Sequence, residues 1–138
     1  MRIAPTATLF VLLSFTVARP LVAHHSVRAT FDDSKMVKIT GVVTRIDWTN
    51  PHVVFYLNVK DNIGAASSWI LQMNAPHRLA ASGVEKDFFK IGDAVSADIW
   101  VAKNGSKYGN TRTLTLSSGQ SFDVSDKLEW KEITITKK

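Results

Sequence analysis

The stretch Ile39-Thr40-Gly41-Val42-Val43-Thr44-Arg45-Ile46-Asp47-Trp48-Thr49-Asn50-Pro51-His52 decides how the chain is read. Val37 and Ile39 put apolar side chains on odd positions, whereas Val42, Ile46 and Trp48 put them on even ones, so the inward face of a strand changes phase near Gly41. A residue without Cβ inside a strand marks a bulge or a bend. Asn50-Pro51 then ends the strand, because proline lacks the ladder N–H and biases the residue before it to extended or turn geometry. The segment reads as a long curled strand that delivers His52 to a strand end.

Downstream, Val53, Phe55, Leu57 and Val59 alternate with Val54, Tyr56, Asn58 and Lys60, the two-residue period of a half-buried strand. Asp61-Asn62-Ile63-Gly64 supplies turn chemistry, and a third strand over Ser67 to Met73 faces Trp69, Leu71 and Met73 inward. Asn74 to Gly83 breaks the rhythm and predicts a short helix, with Asn74 as cap, Pro76 in the first turn and Gly83 at the end. A fourth strand carries Val95, Ala97, Ile99 and Val101 on one face, and Asn104-Gly105 is a hairpin dipeptide. Thr111 to Ser117 is a fifth strand, and Gln120 to Val124 a short sixth.

Three strands, a short helix and two further strands, with a bent first strand, is the order of an OB-like β-barrel of five to six strands. An immunoglobulin-like sandwich is the alternative. It leaves the helix unexplained and needs about seven strands.

Upstream, Met1-Arg2, an apolar run from Leu9 to Val17 and the small residues ending at Ala23 have the parts of a secretory signal. The run is broken by Ser14 and Thr16 and closed by Arg19 and Pro20, so no stable membrane anchor is expected. The expected organisation is a signal peptide over residues 1–23, an N-terminal arm over 24–35 anchored by Phe31, the barrel over 36–125, and a C-terminal arm or edge strand over 126–138. The protein is expected in the periplasm or outside the cell. With 138 residues, 45% hydrophobic and 21% charged, the composition is that of one globular domain.

The formal charge is +5, and Arg2 and Arg19 lie in the signal, so the excess left is mild and spread out. On that ground, and because of export, nucleic acid is not expected as a partner. The absence of cysteine excludes disulfides and thiolate metal sites.

All four histidines fall outside the strand interiors: His24 and His25 at the mature start, His52 after the Asn-Pro turn, His77 in the first turn of the helix. Neutral imidazole is a good ligand for copper, zinc or nickel. Cleavage after Ala23 makes His24 the first residue, whose amine and Nδ1 can chelate one ion while His52 or His77 completes an all-nitrogen set suited to copper(II). Cleavage one residue earlier makes His25 the third residue and gives a planar amine, amide and imidazole set, again for copper(II) or nickel(II). The structural reading stands beside this: a polar mature terminus, a turn histidine bonded to backbone, and a solvated helix residue.

The aromatic residues admit a non-catalytic alternative. OB barrels bind extended ligands on aromatic platforms, and Tyr56 and Trp100 fall on the non-core phase of strands two and four, so they are the candidate residues for an unknown protein or small ligand. No nucleophile elbow, phosphate-cradling loop or His-Glu-x-x-His helix is present, and no catalytic residue is assigned.

Ala23-His24-His25-Ser26, Phe31-Asp32, Gly41-Val42-Val43, Trp48-Thr49-Asn50-Pro51-His52, Ala75-Pro76, Gly92-Asp93 and Asn110-Thr111-Arg112 together resemble a family of small exported bacterial proteins known only as a domain of unknown function. The resemblance runs from about residue 23 to 122. It implies an exported protein of about this size and implies no activity. The stretch after Val124 extends beyond it.

Overall fold

The computed structural model describes residues 27–125. The expected signal peptide over 1–23, His24, His25 and the expected C-terminal arm with Trp130 lie outside the described residues.

A short helix α1, Val27–Thr30, leads into β1, Phe31–Trp48, an 18-residue strand long enough to serve two partners. Its first half pairs antiparallel with β4, Ala94–Ala102, from Met36↔Trp100 to Val42↔Ala94. Its second half pairs antiparallel with β2, Val53–Lys60, from Val42↔Asn58 to Trp48↔Val53. Between the halves the strand carries a bulge: Val43 faces Leu57 and Arg45 faces Tyr56, so Thr44 is the extra residue. The Thr44 hydroxyl donates to the Tyr56 carbonyl at 3.0 Å and holds the kink.

The phase change therefore lies at Thr44 and not at Gly41. Val37, Ile39 and Val43 pack on the core before the bulge, Ile46 and Trp48 after it. Gly41 has a different reason to be glycine. A Cβ built there would lie 2.7 Å from the carbonyl oxygen of Asn58 and 2.9 Å from Val59 Cγ2, so the strands come together too closely for a side chain.

β2 continues to β3, Ala66–Gln72, by an antiparallel hairpin, and β3 pairs in parallel with β5, Tyr108–Leu116, through Ile70↔Tyr108 to Gln72↔Asn110. β5 pairs antiparallel with β4, which closes the sheet on itself in the order β1-β2-β3-β5-β4. A short β6, Ser121–Asp123, is added to the other edge of β5. This is the OB-like arrangement, with α2, Pro76–Ala81, between β3 and β4 as the sequence predicts.

The interior holds Phe55, Leu57, Leu71, Met73, Leu79, Ile99 and Leu114, all fully or almost fully buried. Burying each such side chain contributes about 1.5–3 kcal/mol, and with no disulfide this core carries the fold. One end is sealed by rings: Phe89 meets Phe55 at 5.2 Å and Phe122 at 5.2 Å. A single 3-10 turn, Lys86–Phe88, presents Phe89 to that cluster.

Several boundaries move. Phe31–Lys35, expected in an arm, already belong to β1, although Phe31 is the anchor that was expected, at 2% exposure. Asn74 does not cap α2; Ala75 holds that position, and the Asn74 side-chain oxygen accepts the Ala75 N–H at 2.8 Å. Gly83 does end the helical segment, with φ of 76° in the left-handed region.

Candidate metal centre

β1 ends at Trp48, the turn passes through a cis Asn50-Pro51 peptide, and β2 begins at Val53. The Val53 N–H donates to the Asn74 carbonyl at 3.1 Å and its own carbonyl accepts the Met73 N–H at 2.9 Å. These bonds fasten the start of β2 to the end of β3, and they set the position of His52. Its half-buried ring brings Nδ1 to 3.2 Å from the Met73 carbonyl oxygen. A carbonyl only accepts, so Nδ1 carries the hydrogen and the lone pair resides on Nε2. No described residue bonds Nε2. Backbone-held Nδ1 with a free Nε2 is the form in which histidine serves as a metal ligand.

His77 is the second residue of α2 and is exposed. α2 starts two residues after Asn74, whose carbonyl accepts the Val53 N–H, so His52 adjoins one end of that bond and His77 lies three residues past the other. Among the described residues no group of three His, Asp or Glu side chains gathers to hold a metal. His24 and His25 lie outside the described residues, so two of the four predicted ligands have positions.

The start of the described chain is tied toward this junction by a series of contacts. Phe31, Trp100 and Ala102 form a second small core with Val27 and Tyr108 packed on it. Lys103 donates its backbone N–H to the Thr30 carbonyl at 2.9 Å and its ammonium to the Arg28 carbonyl at 2.6 Å. The Phe31 and Tyr108 rings are 5.0 Å apart, and the Tyr108 hydroxyl donates to the side-chain oxygen of Gln72, the residue before Met73. Burial pushes the Tyr108 phenol above its ordinary 10.0. Nothing in the sequence pairs Tyr108 with Gln72, which stand 36 residues apart. Only the parallel closure of β3 on β5 brings them together.

The two aromatic candidates differ in setting. Tyr56 is half-buried on the outer face of β2, with the Arg45 guanidinium 4.8 Å over its ring and Arg45 itself paired to Asp47 at 2.7 Å. Trp100 is only 7% exposed. It does lie off the barrel's inner phase, but the Phe31 segment covers it, so it presents no open platform.

Elsewhere on the outer face, Asp98 accepts from Lys38 at 3.0 Å and from the Thr113 hydroxyl at 2.9 Å. The hydrogen bond from Lys38, followed by that from Thr113, holds the Asp98 carboxyl below its ordinary 3.8 against the opposing effect of burial. No helix of the described residues is long and apolar enough to cross a membrane.

Fold and histidine placement define an OB-like β-protein with an imidazole fixed at a strand junction. The chain belongs to a family of unknown function, DUF6152, whose model matches residues 12–112. A comparison with curated proteins found no match. Among solved structures, the mitochondrial single-stranded DNA binding protein Rim1 of S. cerevisiae is similar at 8% identity and a TM-score of 0.47, over 60% of this chain and 93% of that one.

That finding corrects the exclusion of nucleic acid. The exclusion rested on mild charge and expected export, neither of which tests the sheet surface, and one similar solved structure is a single-stranded DNA binding protein. Nucleic acid is therefore no longer excluded as a partner.

Proposed function

We propose that this protein is exported to the periplasm or beyond and binds copper(II) there. The ligands are the amine and imidazole of His24 as first residue, and His52 Nε2, with His25 or His77 contributing. The observation that carries the reading is the His52 Nδ1 bond to the Met73 carbonyl, which orients the ring and leaves Nε2 as a free donor. The contacts of Lys103 with Arg28, of Phe31 with Tyr108 and of Tyr108 with Gln72 support it, because they link the first described residues, through Tyr108, to the residue preceding Met73. An all-nitrogen set with an amine and imidazoles favours tetragonal copper(II), whereas zinc would prefer four tetrahedral ligands.

The test is a copper(II) titration followed by electron paramagnetic resonance, on protein exported and processed by a bacterial host, with its first residue established by mass spectrometry. A stoichiometric nitrogen-ligated signal that disappears when one residue is added before His24 is the expected result. Only loosely bound copper, with His24 verified as the first residue, would end the metal reading.

A further inference from the structure

β5 carries a bulge of its own. It pairs with β4 through Asp98↔Thr113 and Ile99↔Thr111, so Arg112 is the extra residue, and the Arg112 carbonyl accepts the Val124 N–H at 2.9 Å. Successive residues of a regular strand face opposite sides of the sheet. Here Arg112 and Thr113 line the same outer groove, the re-aiming of a side chain that a bulge produces. The groove, of about 600 Å³, runs from Met36 and Lys38 on β1 across Asp98 on β4 to Arg112 and Thr113 on β5 and Asp123 on β6. Its lining holds two cations and two carboxylates. Lys38 meets one Asp98 oxygen at 3.0 Å, and the Thr113 hydroxyl donates to the other at 2.9 Å. A carboxylate offers about four acceptor positions, and Asp98 uses two of them in these bonds. Asp123 Oδ1 accepts the N–H and the hydroxyl of Ser125 at 3.2 and 2.8 Å. Arg112 is exposed, and its guanidinium makes no ion pair or hydrogen bond among the described residues.

We propose that this groove binds a small zwitterion of the α-amino-acid class with an apolar side chain, its carboxylate on Arg112, its ammonium on Asp98 and its side chain along Met36. The guanidinium fork matches a planar carboxylate with two parallel bonds. A bare anion seated there also meets the negative charge of Asp98 and Asp123 in the same groove, so a positive group on the ligand is needed to offset it. Asp98 has the acceptor positions to receive that group. Met36, 45% exposed at the β1 end of the lining, supplies an apolar surface that a charged or hydroxylated side chain would not use. The inference is independent of the metal reading.

The test titrates the intact, processed chain, without added metal, with L-leucine and follows the backbone amides by nuclear magnetic resonance. Saturable shifts on the groove strands are expected. Isocaproate, which lacks the ammonium, and isoamylamine, which lacks the carboxylate, should each bind at least about tenfold more weakly, since each forfeits one charge-assisted hydrogen bond. Arg112→Gln should weaken leucine binding by about tenfold or more and leave the melting temperature near that of the parent, because the guanidinium it removes bonds no described residue. If the variant folds poorly, the two analogues decide on the parent chain alone. No saturable shift up to about 10 mM leucine, an affinity of only about 3 kcal/mol, overturns the proposal. So does isocaproate binding as tightly as leucine, which would leave an anion site only, or an affinity unchanged in a folded Arg112→Gln.

Discussion

His52 and Met73 are joined side chain to backbone across the junction of β2 and β3, with Nδ1 3.2 Å from the carbonyl oxygen. The bond is half-buried and worth about 0.5–1.5 kcal/mol. Its removal in His52→Ala should lower the melting temperature of the metal-free protein by no more than about 5 °C. Copper(II) binding should fall at least a hundredfold if Nε2 is a ligand, a separation that titration and thermal melts read independently. Because both imidazole and amine must shed protons to bind, affinity should also weaken below about pH 6. Unchanged affinity from pH 8 to pH 5 would count against the site.

Asp98 gives the outer face a pH dependence of its own. Its carboxyl lies below the ordinary 3.8 in the folded chain, chiefly through the Lys38 hydrogen bond and then through Thr113. A depressed folded value means that the contribution is fully present above 3.8 and is lost as pH falls through the lower folded value. Asp98→Asn should therefore flatten the fall of melting temperature between pH 5 and pH 2, while at pH 7 it should be less stable than the parent. An acid limb identical to that of the parent would show that Asp98 does not contribute to it.

Tyr108 acts at the opposite end of the scale. Burial raises its phenol above 10.0, so its contribution is complete below that pH and is lost as pH rises through the folded value. Tyr108→Phe keeps the ring that meets Phe31 and removes the hydroxyl that donates to Gln72. The variant should lose about 1 kcal/mol at pH 7 and melt with less alkaline sensitivity than the parent between pH 9 and pH 11. Equal alkaline slopes in urea titrations would assign the loss to other groups.

What could be read from the sequence was the local part of the fold. β2 spans Val53–Lys60 as its alternation predicts, and Gly105 in the Asn104-Gly105 turn has φ of 77°. The long-range parts were hidden. Asp32 to Lys35 show no apolar alternation, yet they belong to β1, held at one end by Phe31↔Ala102 and at the other by Met36↔Trp100. Ile99 and Trp100 are both buried because a second small core lies outside the barrel under Phe31, which a one-sided strand pattern does not anticipate. Of the site, His52 was placed at its strand end by Asn50-Pro51, but its bond to Met73 depends on pairing 21 residues apart.

Val42 and Gly41 distinguish the two places at which the inward face of β1 could change phase. Apolar type alone assigns Val42 to the core, but it is 44% exposed and the bulge falls at Thr44. Gly41, unremarkable by hydropathy, lies where a Cβ would come within 2.7 Å of a backbone oxygen on β2. A backbone atom in a paired strand cannot swing aside as a side-chain tip can, so Gly41→Ala should cost about 1–3 kcal/mol. Val42→Ala removes methyl groups that are largely in water and should stay within about 0.5–1 kcal/mol of the parent. Urea denaturation of the two variants compares them directly. If Val42→Ala proved the more damaging, the inward face would change phase at Gly41 after all, and the bulge at Thr44, with the orientation it imposes on Ile46 and Trp48, would be wrong.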